Sequence, residues 1–422
     1  MFKLFIILIL AFLPIASFAQ EIDYLILNNE YDKALQVIDS ALAKDEVQPK
    51  LYLKKGQILQ KRFDYLGAIA ALEKAFQLDS LNISTLNELA ETHASLGNNK
   101  QALPYYKALY ATDTTNSVYT LKLARAWINV KTYSGPFEIL KSAYNLDSTN
   151  LMINKLLAFS ASRTGADSIA ISLYNKVIDQ NPTDLNNYVN LANLYQKKEN
   201  YPKIVETLEK GLKVFPEEAT LLTRLGDAHF GKRAYTKAIQ PYEVYLSLGD
   251  SIVDVVKNLG ISYYYEKCTD ESLYLLDKSL MLRPNDPTTA LFIGLCYKDL
   301  KDIDQSLAYM NFAARTAIPY FMSDIYNQLG ILYGLKREFK KSIEALKEAY
   351  SLDSTKVEVL FKIATTYEEF QKDKTNALNY YNSYLKAMKE ENDYQKSLKV
   401  YALERKRVIK EYQLKYGKQQ KK

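Results

Sequence analysis

The chain has 422 residues, with few Gly (14) and Pro (11) and many Tyr (35). Length alone allows several compact domains, and the balance of residues favours helices. The net charge of +6 is the difference between 55 Lys and Arg and 49 Asp and Glu, with both signs interspersed, which argues against a basic nucleic-acid-binding stripe.

The first twenty residues, MFKLFIILILAFLPIASFAQ, stand apart. Lys3 gives a short positive start. Leu4 to Leu13 is an apolar run too short to span a bilayer comfortably. Ser17-Phe18-Ala19 puts small residues where a signal peptidase cuts, just before Gln20. Residues 1–19 therefore read as a secretory signal peptide, with an uncleaved anchor as the alternative. No Cys follows the apolar run, which argues against a lipoprotein anchor. No later stretch approaches the ~20 apolar residues of a spanning helix. The expected address is periplasmic or outer-membrane-associated, with full secretion as the other option. Cys268 and Cys296 match no metal-site spacing. They read as free, partly buried thiols, although an oxidising compartment would permit a disulfide.

From residue 49 onward the chain repeats. Small residues inside helical patterns recur every 34 residues: Gly56, Ala90, Ala124, Ala158, Ala192, Gly226, Gly260 and Gly294. Gly330 and Ala364 continue the series after a two-residue insertion near Ile318-Pro319. A second series runs beside it: Ala34, Ala68, Ala102, Pro136, Ala170, Ile204, Ala238, Ser272, Ser306 and Ser342. Three places after the first series comes a large residue, among them His93, Trp127, Tyr195, His229, Tyr263 and Tyr333, with Ala161 as a break. Residues 20–48 hold a half unit around Tyr31-Asp32-Lys33-Ala34, and residues 49–386 hold ten units. Residues 387–422 read as one or two capping helices and a basic tail, Lys415 to Lys422.

The unit Tyr188, Leu191, Ala192, Tyr195, Leu208, Gly211, Pro216 resembles the tetratricopeptide repeat, as does the run Ala290, Gly294, Tyr297, Ser306, Ala313. The resemblance covers about residues 49–386. It implies an all-α fold in which each unit is two antiparallel helices, A and B, stacked into a right-handed α-solenoid superhelix. On that reading the first series lies on helix A where helix B comes nearest, and the second series lies on B facing back. Gly294→Leu or Gly330→Leu should then overpack the seam, at about 1–3 kcal/mol or more. Asp79-Ser80, Asp147-Ser148 and Asp353-Ser354 stand where they can cap the next A helix. Pro136 and Pro202 fall near the starts of B helices, where a missing N–H does least harm. The insertion at Thr316–Met322 is a place for a hinge.

His93 and His229, the only histidines, sit at one repeat position four units apart and read as packing residues. No Gly-rich phosphate loop, CxxC, HExxH or nucleophile elbow appears, so neither an enzyme nor a metal or cofactor is expected. The candidate site is the groove lined by successive A helices. In family members that grip a C-terminal carboxylate, Lys and Asn from consecutive A helices form a clamp with an Arg. By repeat position Lys155, Asn190 and Arg224 match three of its five residues, while Phe159 and Thr220 depart from it. Arg224 would fork onto a carboxylate; a solvated surface is the alternative. Neighbouring groove positions add Asn186, Val189, Asn193 and Gln196, then Tyr264, Tyr265, Lys298 and Phe361. The tail lysines offer a contact with an anionic surface or simply a solubilising end.

The expectation is a monomeric, non-catalytic scaffold in the envelope of a bacterium with two membranes. It would bind protein or peptide partners in the concave groove or on the convex face, and no nucleic acid. A soluble periplasmic receptor for a peptide or glycan is the alternative.

Overall fold

The computed structural model describes residues 20–316, 319–388 and 392–416, and every regular element among them is a helix. The expected signal peptide, residues 317 and 318 of the insertion and residues 417–422 of the basic tail lie outside the described residues. In chain order the helices are α1 (residues 20–27), α2 (Tyr31–Leu42), α3 (Pro49–Lys61), α4 (Tyr65–Leu78), α5 (Ile83–Ser95), α6 (Asn99–Thr112), α7 (Ser117–Asn129), α8 (Ser134–Leu146), α9 (Leu151–Thr164), α10 (Asp167–Gln180), α11 (Leu185–Lys197) and α12 (Tyr201–Val214). They continue as α13 (Ala219–Gly231), α14 (Tyr235–Ser247), α15 (Val253–Tyr265), α16 (Thr269–Leu282), α17 (Pro287–Asp299), α18 (Ile303–Thr316), α19 (Pro319–Leu335), α20 (Phe339–Leu352), α21 (Glu358–Phe370), α22 (Thr375–Ala387) and α23 (Asp393–Tyr416). Two units divide inside α12, the first ending at Thr207 and the second starting at Leu208.

Within each unit the seam between an odd helix and the next even one follows from the small-residue series. In the second unit a Cβ on Gly226 would run into the Tyr242 ring. On Gly260 it would lie 2.9 Å from Leu276 Cγ, on Gly294 3.0 Å from Met310 Cε and on Gly330 2.5 Å from Leu346 Cγ. In the first unit Gly56 meets Leu72 in the same way. Ala90, Ala124, Ala158 and Ala364 are fully buried, and Ala192 nearly so. The second series faces back onto the first. Ser306 Oγ donates to the Gly294 carbonyl at 2.7 Å, and Ser342 Oγ to the Gly330 carbonyl at 2.6 Å. A helix-interior Gly costs about 1 kcal/mol. Burying a Leu or Met against it contributes about 1.5–3 kcal/mol, so close approach wins.

Two local expectations need correction. Asp79, Asp147 and Asp353 do not cap the next helix; each accepts from the backbone N–H two residues on, at Leu81, Thr149 and Thr355. The caps of α5, α7 and α9 are Asn82, Asn116 and Asn150, whose side chains accept from first-turn N–H groups. An Asp closes its own short turn more readily than it reaches over several residues. The hinge at Thr316–Met322 is not supported either. Ala290, Met310, Ala313, Ile325 and Leu329 of α17, α18 and α19 share one core, and α19 runs for 17 residues from Pro319. The C-terminal cap is one 24-residue helix, α23, seated by Ala402 and Ile409 on Leu360, Tyr381 and Tyr384.

The odd-to-even turns share a feature the composition hides. Seven residues after each member of the first series, from Phe63 to Arg337, the backbone turns left-handed, and only Gly97 and Gly165 among these are Gly. Phe63, Lys131, Glu199, Arg233, Lys267, Lys301 and Arg337 hold φ between 53° and 66°.

Candidate functional site

Within each unit odd-numbered helices approach the next odd helix (α3 to α5 and α7 to α9 in the first; α13 to α15, α15 to α17 and α19 to α21 in the second), whereas even helices keep further apart. The odd helices therefore line the inner face. Their seam positions are closed, and the residues two and three places before the small one are among those that reach a neighbouring odd helix.

In the first unit these side chains bridge neighbouring helices. Lys122 on α7 donates to Asn87 Oδ1 at 2.5 Å and pairs with Glu91 Oε1 at 2.7 Å, both on α5. Glu91 also lies by the Tyr106 hydroxyl, and burial with that charge pushes the Tyr106 pKa up. Lys155 pairs with Asp184 at 2.5 Å. Asn190 and Ser162 lie beside the Tyr174 hydroxyl, which is buried without a hydrogen-bond partner among the described residues; burial pushes that phenol up to about 12. Asn186 and Asn193 are exposed on α11. Two members of the expected clamp are thus placed on adjacent odd helices, with Lys155 already held by a carboxylate. Arg224 belongs to α13 of the second unit.

In the second unit Tyr242 on α14 donates to Asp227 Oδ1 at 2.6 Å, and Lys257 bridges Asp254 (2.9 Å) and the buried Asp286 (3.1 Å). Tyr264 and Tyr265 join Tyr235 and Phe292 in an aromatic cluster. Tyr265 stacks on Tyr235 at 4.1 Å, and Tyr264 meets Phe292 edge-on at 5.4 Å. Burial, with Asp299 nearby, pushes the Tyr264 phenol up to about 12. Lys298 donates to Gln328 Oε1 at 3.4 Å, and on α21 Lys362 donates to Asn327 Oδ1 at 2.8 Å. Sequence reading named Lys298 but missed Asn327, Gln328 and Lys362. Counting by repeat position would have found them, since Asn327 corresponds to Lys155, and Gln328 and Lys362 to Asn190.

The remaining chemistry-bearing groups are packed. His93 stacks on Tyr105 with centroids 5.8 Å apart, and burial lowers the pKa of His93 and of His229. Cys268 and Cys296 are free thiols, Cys296 buried 3.3 Å from Ser272 Oγ. Among the described residues no His, Cys, Asp and Glu cluster is arranged to hold a metal, and no helix is long and apolar enough to cross a membrane.

Residues 49–80, 173–206, 323–356 and 358–387 match family models described as tetratricopeptide repeat. The chain carries tetratricopeptide repeats at these places. It is 22% identical over 338 residues to the BBSome complex member BBS4 homolog of Drosophila melanogaster, covering 80% of this chain and 58% of that protein. It is 23% identical over 261 residues to the peroxisomal targeting signal receptor of Saccharomyces cerevisiae, covering 61% of this chain and 38% of that one. The chain thus matches less than two thirds of the length of either relative. Among solved structures, Cut9 in the APC/C hetero-tetramer Cut9-Hcn1 is similar at 14% identity with a TM-score of 0.44, over 90% of this chain and 95% of that one.

Proposed function

We propose that this tetratricopeptide-repeat protein is a non-catalytic scaffold of the bacterial cell envelope. It holds partner proteins or peptides on the inner face of its odd-numbered helices. The observation that carries this reading is how the helix pairs are used. Small residues close the seams, while side chains such as Lys122 and Lys362 reach from one odd helix to the next. Each unit thereby offers a polar surface drawn from several helices, suited to an extended partner. A complex member and a targeting-signal receptor among the relatives are in keeping with it. The signal-like pattern of residues 1–19 supports the envelope address.

The test is crosslinking in intact cells followed by capture of the tagged full chain from the envelope fraction. A reproducible protein partner is expected, lost when the inner face is made bulky and unchanged by substitutions on even helices. Thermal stabilisation by glycans or free peptides with no protein captured would turn the reading towards a soluble receptor. Recovery of the chain only in the cytoplasm would remove the envelope part.

A further inference from the structure

Away from the inner face, a cavity of about 560 Å³ lies where α14, α15 and α16 of the second unit meet. The buried Leu275, the half-buried Tyr263 and the exposed Tyr274 line it, together with Glu243, Asp270 and Glu271. Repeat position explains the space. Tyr263 belongs to the series of large residues three places after the small one. Twelve places after members of that series stand Tyr105, stacked on His93 at 5.8 Å, and Tyr309, stacked on Tyr297 at 5.7 Å. The matching residue after Tyr263 is Leu275, and no aromatic ring packs on Tyr263 among the described residues. A leucine is smaller than the tyrosines at that place, so room is left beside the ring.

Charge at two further repeat positions sets this cavity apart. Twenty places before the large residue, Lys107 lies 5.6 Å over the Trp127 ring and Lys347 lies 5.4 Å over the Tyr367 ring. Eight places after it, Lys341 lies 5.5 Å over the Tyr333 ring. His229 has Glu209 and Lys237 at the two positions, one charge of each sign. Around Tyr263 both are acidic, Glu243 and Glu271, a combination found in no other repeat of the chain. Glu243 accepts from the Tyr263 hydroxyl, and neither it nor Asp270 nor Glu271 forms an ion pair among the described residues. Burial, then the bond to Glu243 and the charges of Glu243 and Glu271, push the Tyr263 phenol above its ordinary value. The start of α16 favours Asp270 and Glu271, but Glu243 lies near the C-terminal end of α14, where a helix gives a carboxylate no such support. A ring that elsewhere carries a lysine of the same chain here borders a cavity edged by carboxylates. We propose that this cavity takes a lysine side chain from a basic segment of a second partner protein. The lysine stem packs on Leu275 and the two tyrosine rings, and its ammonium is met by Glu243 and Glu271. The inference extends the scaffold reading above to a separate surface and names the chemistry of what binds there.

The test is fluorescence anisotropy on the full chain with a short Lys/Ser peptide, acetylated and amidated at its ends, and its Gln/Ser counterpart. The net charge of +6 opposes a basic peptide, so a preference for it reports a local site. The Lys peptide is expected to bind at least about tenfold more tightly. Glu243→Gln combined with Glu271→Gln should abolish most of that preference. Glu344→Gln, on the exposed side of α20, should leave it unchanged. Leu275→Tyr installs the residue that other repeats hold at this place; it should fill the cavity and remove binding while every carboxylate remains. Melting by circular dichroism accompanies each variant. Equal affinity for the two peptides, no binding of the Lys peptide, or a double variant that still prefers it would overturn the site. Unchanged binding by a folded Leu275→Tyr chain would overturn it too, by showing attraction to an acidic surface without use of the cavity. Glu243-dependent binding of spermidine with none of the Lys peptide would assign the cavity to a free polyamine and overturn the protein partner. Any of these leaves the inner-face reading standing, since that depends on whether the unaltered chain captures its partner in the crosslinking experiment.

Discussion

Gly330 and Leu346 touch so closely that the glycine's absent Cβ would lie 2.5 Å from Leu346 Cγ, while Ser342 Oγ donates to the Gly330 carbonyl. The two helices meet backbone to side chain, with no layer between them. Gly334, one turn further along α19, has only Ser342 Oγ nearby, at 3.4 Å from its would-be Cβ. The same helix therefore holds one glycine required by packing and one that is not.

Gly330→Ala should destabilise the second unit by about 1–3 kcal/mol, because overpacking outweighs the roughly 1 kcal/mol gained in helix propensity. Gly334→Ala should be neutral or stabilising by up to about 1 kcal/mol. Urea unfolding of both variants beside the parent chain checks the pair. Similar behaviour of the two would mean the seam does not depend on a close approach at Gly330.

What could be read in advance was the part that repeats. A small residue at one place in every unit signals helix against helix, and Gly56, Gly226, Gly260, Gly294 and Gly330 all lie in that seam. Local chemistry was less legible. Asp79 and Asn82 are both good capping residues, and only the turn geometry shows that Asp79 closes the turn while Asn82 caps α5. The inner face was least legible, because its meaning lies in pairings between helices about 30 residues apart. Nothing in the one-dimensional pattern distinguishes Lys155, held by Asp184, from Lys362, held by the amide of Asn327.

Asn187 on α11 shows the cost of one departure from the repeat. It is buried, and neither its amide oxygen nor its nitrogen has a hydrogen-bond partner among the described residues. Equivalent places elsewhere carry Leu51, Ile153, Leu221 and Val255. Asn187→Leu should stabilise the chain by about 1–3 kcal/mol, the usual penalty of an unsatisfied buried polar group. A thermal melt that moves upward supports this; an unchanged or lower midpoint would mean that ordered water already satisfies the amide.

The left-handed turn residues point the other way, to positions where the repeat tolerates strain. Lys301 holds φ at 64° between α17 and α18 with its side chain exposed. An L-residue there costs roughly 1–2 kcal/mol, which Gly avoids at the expense of a more flexible unfolded chain. Lys301→Gly should therefore raise stability by up to about 1 kcal/mol. The same change at Lys298, inside α17, should lower it by about 1 kcal/mol. Equal effects at the two places would show that the turn's φ is not what matters.

Acid should act on a defined pair in the second unit. Asp254 accepts from Arg283 Nη1 and from Lys257 Nζ, each at 2.9 Å, and these bonds hold its carboxyl at about 2 against an ordinary 3.8. A depressed carboxyl stabilises the fold above its unfolded pKa and loses that contribution as pH falls through its folded one. The window therefore runs from about pH 4 down to about pH 2. Asp254 is 55% exposed, so screening keeps the contribution below about 1 kcal/mol. Asp254→Asn should be less stable than the parent near neutral pH, with most of the gap closed at about pH 2, where the carboxyl is about half protonated in the folded parent and almost fully protonated in the unfolded chain. Denaturant midpoints of both chains at the two pH values measure it. A gap of the same size at both would place the effect of Asp254 in packing or neutral hydrogen bonding, leaving Lys257 to draw its compensation from Asp286 alone.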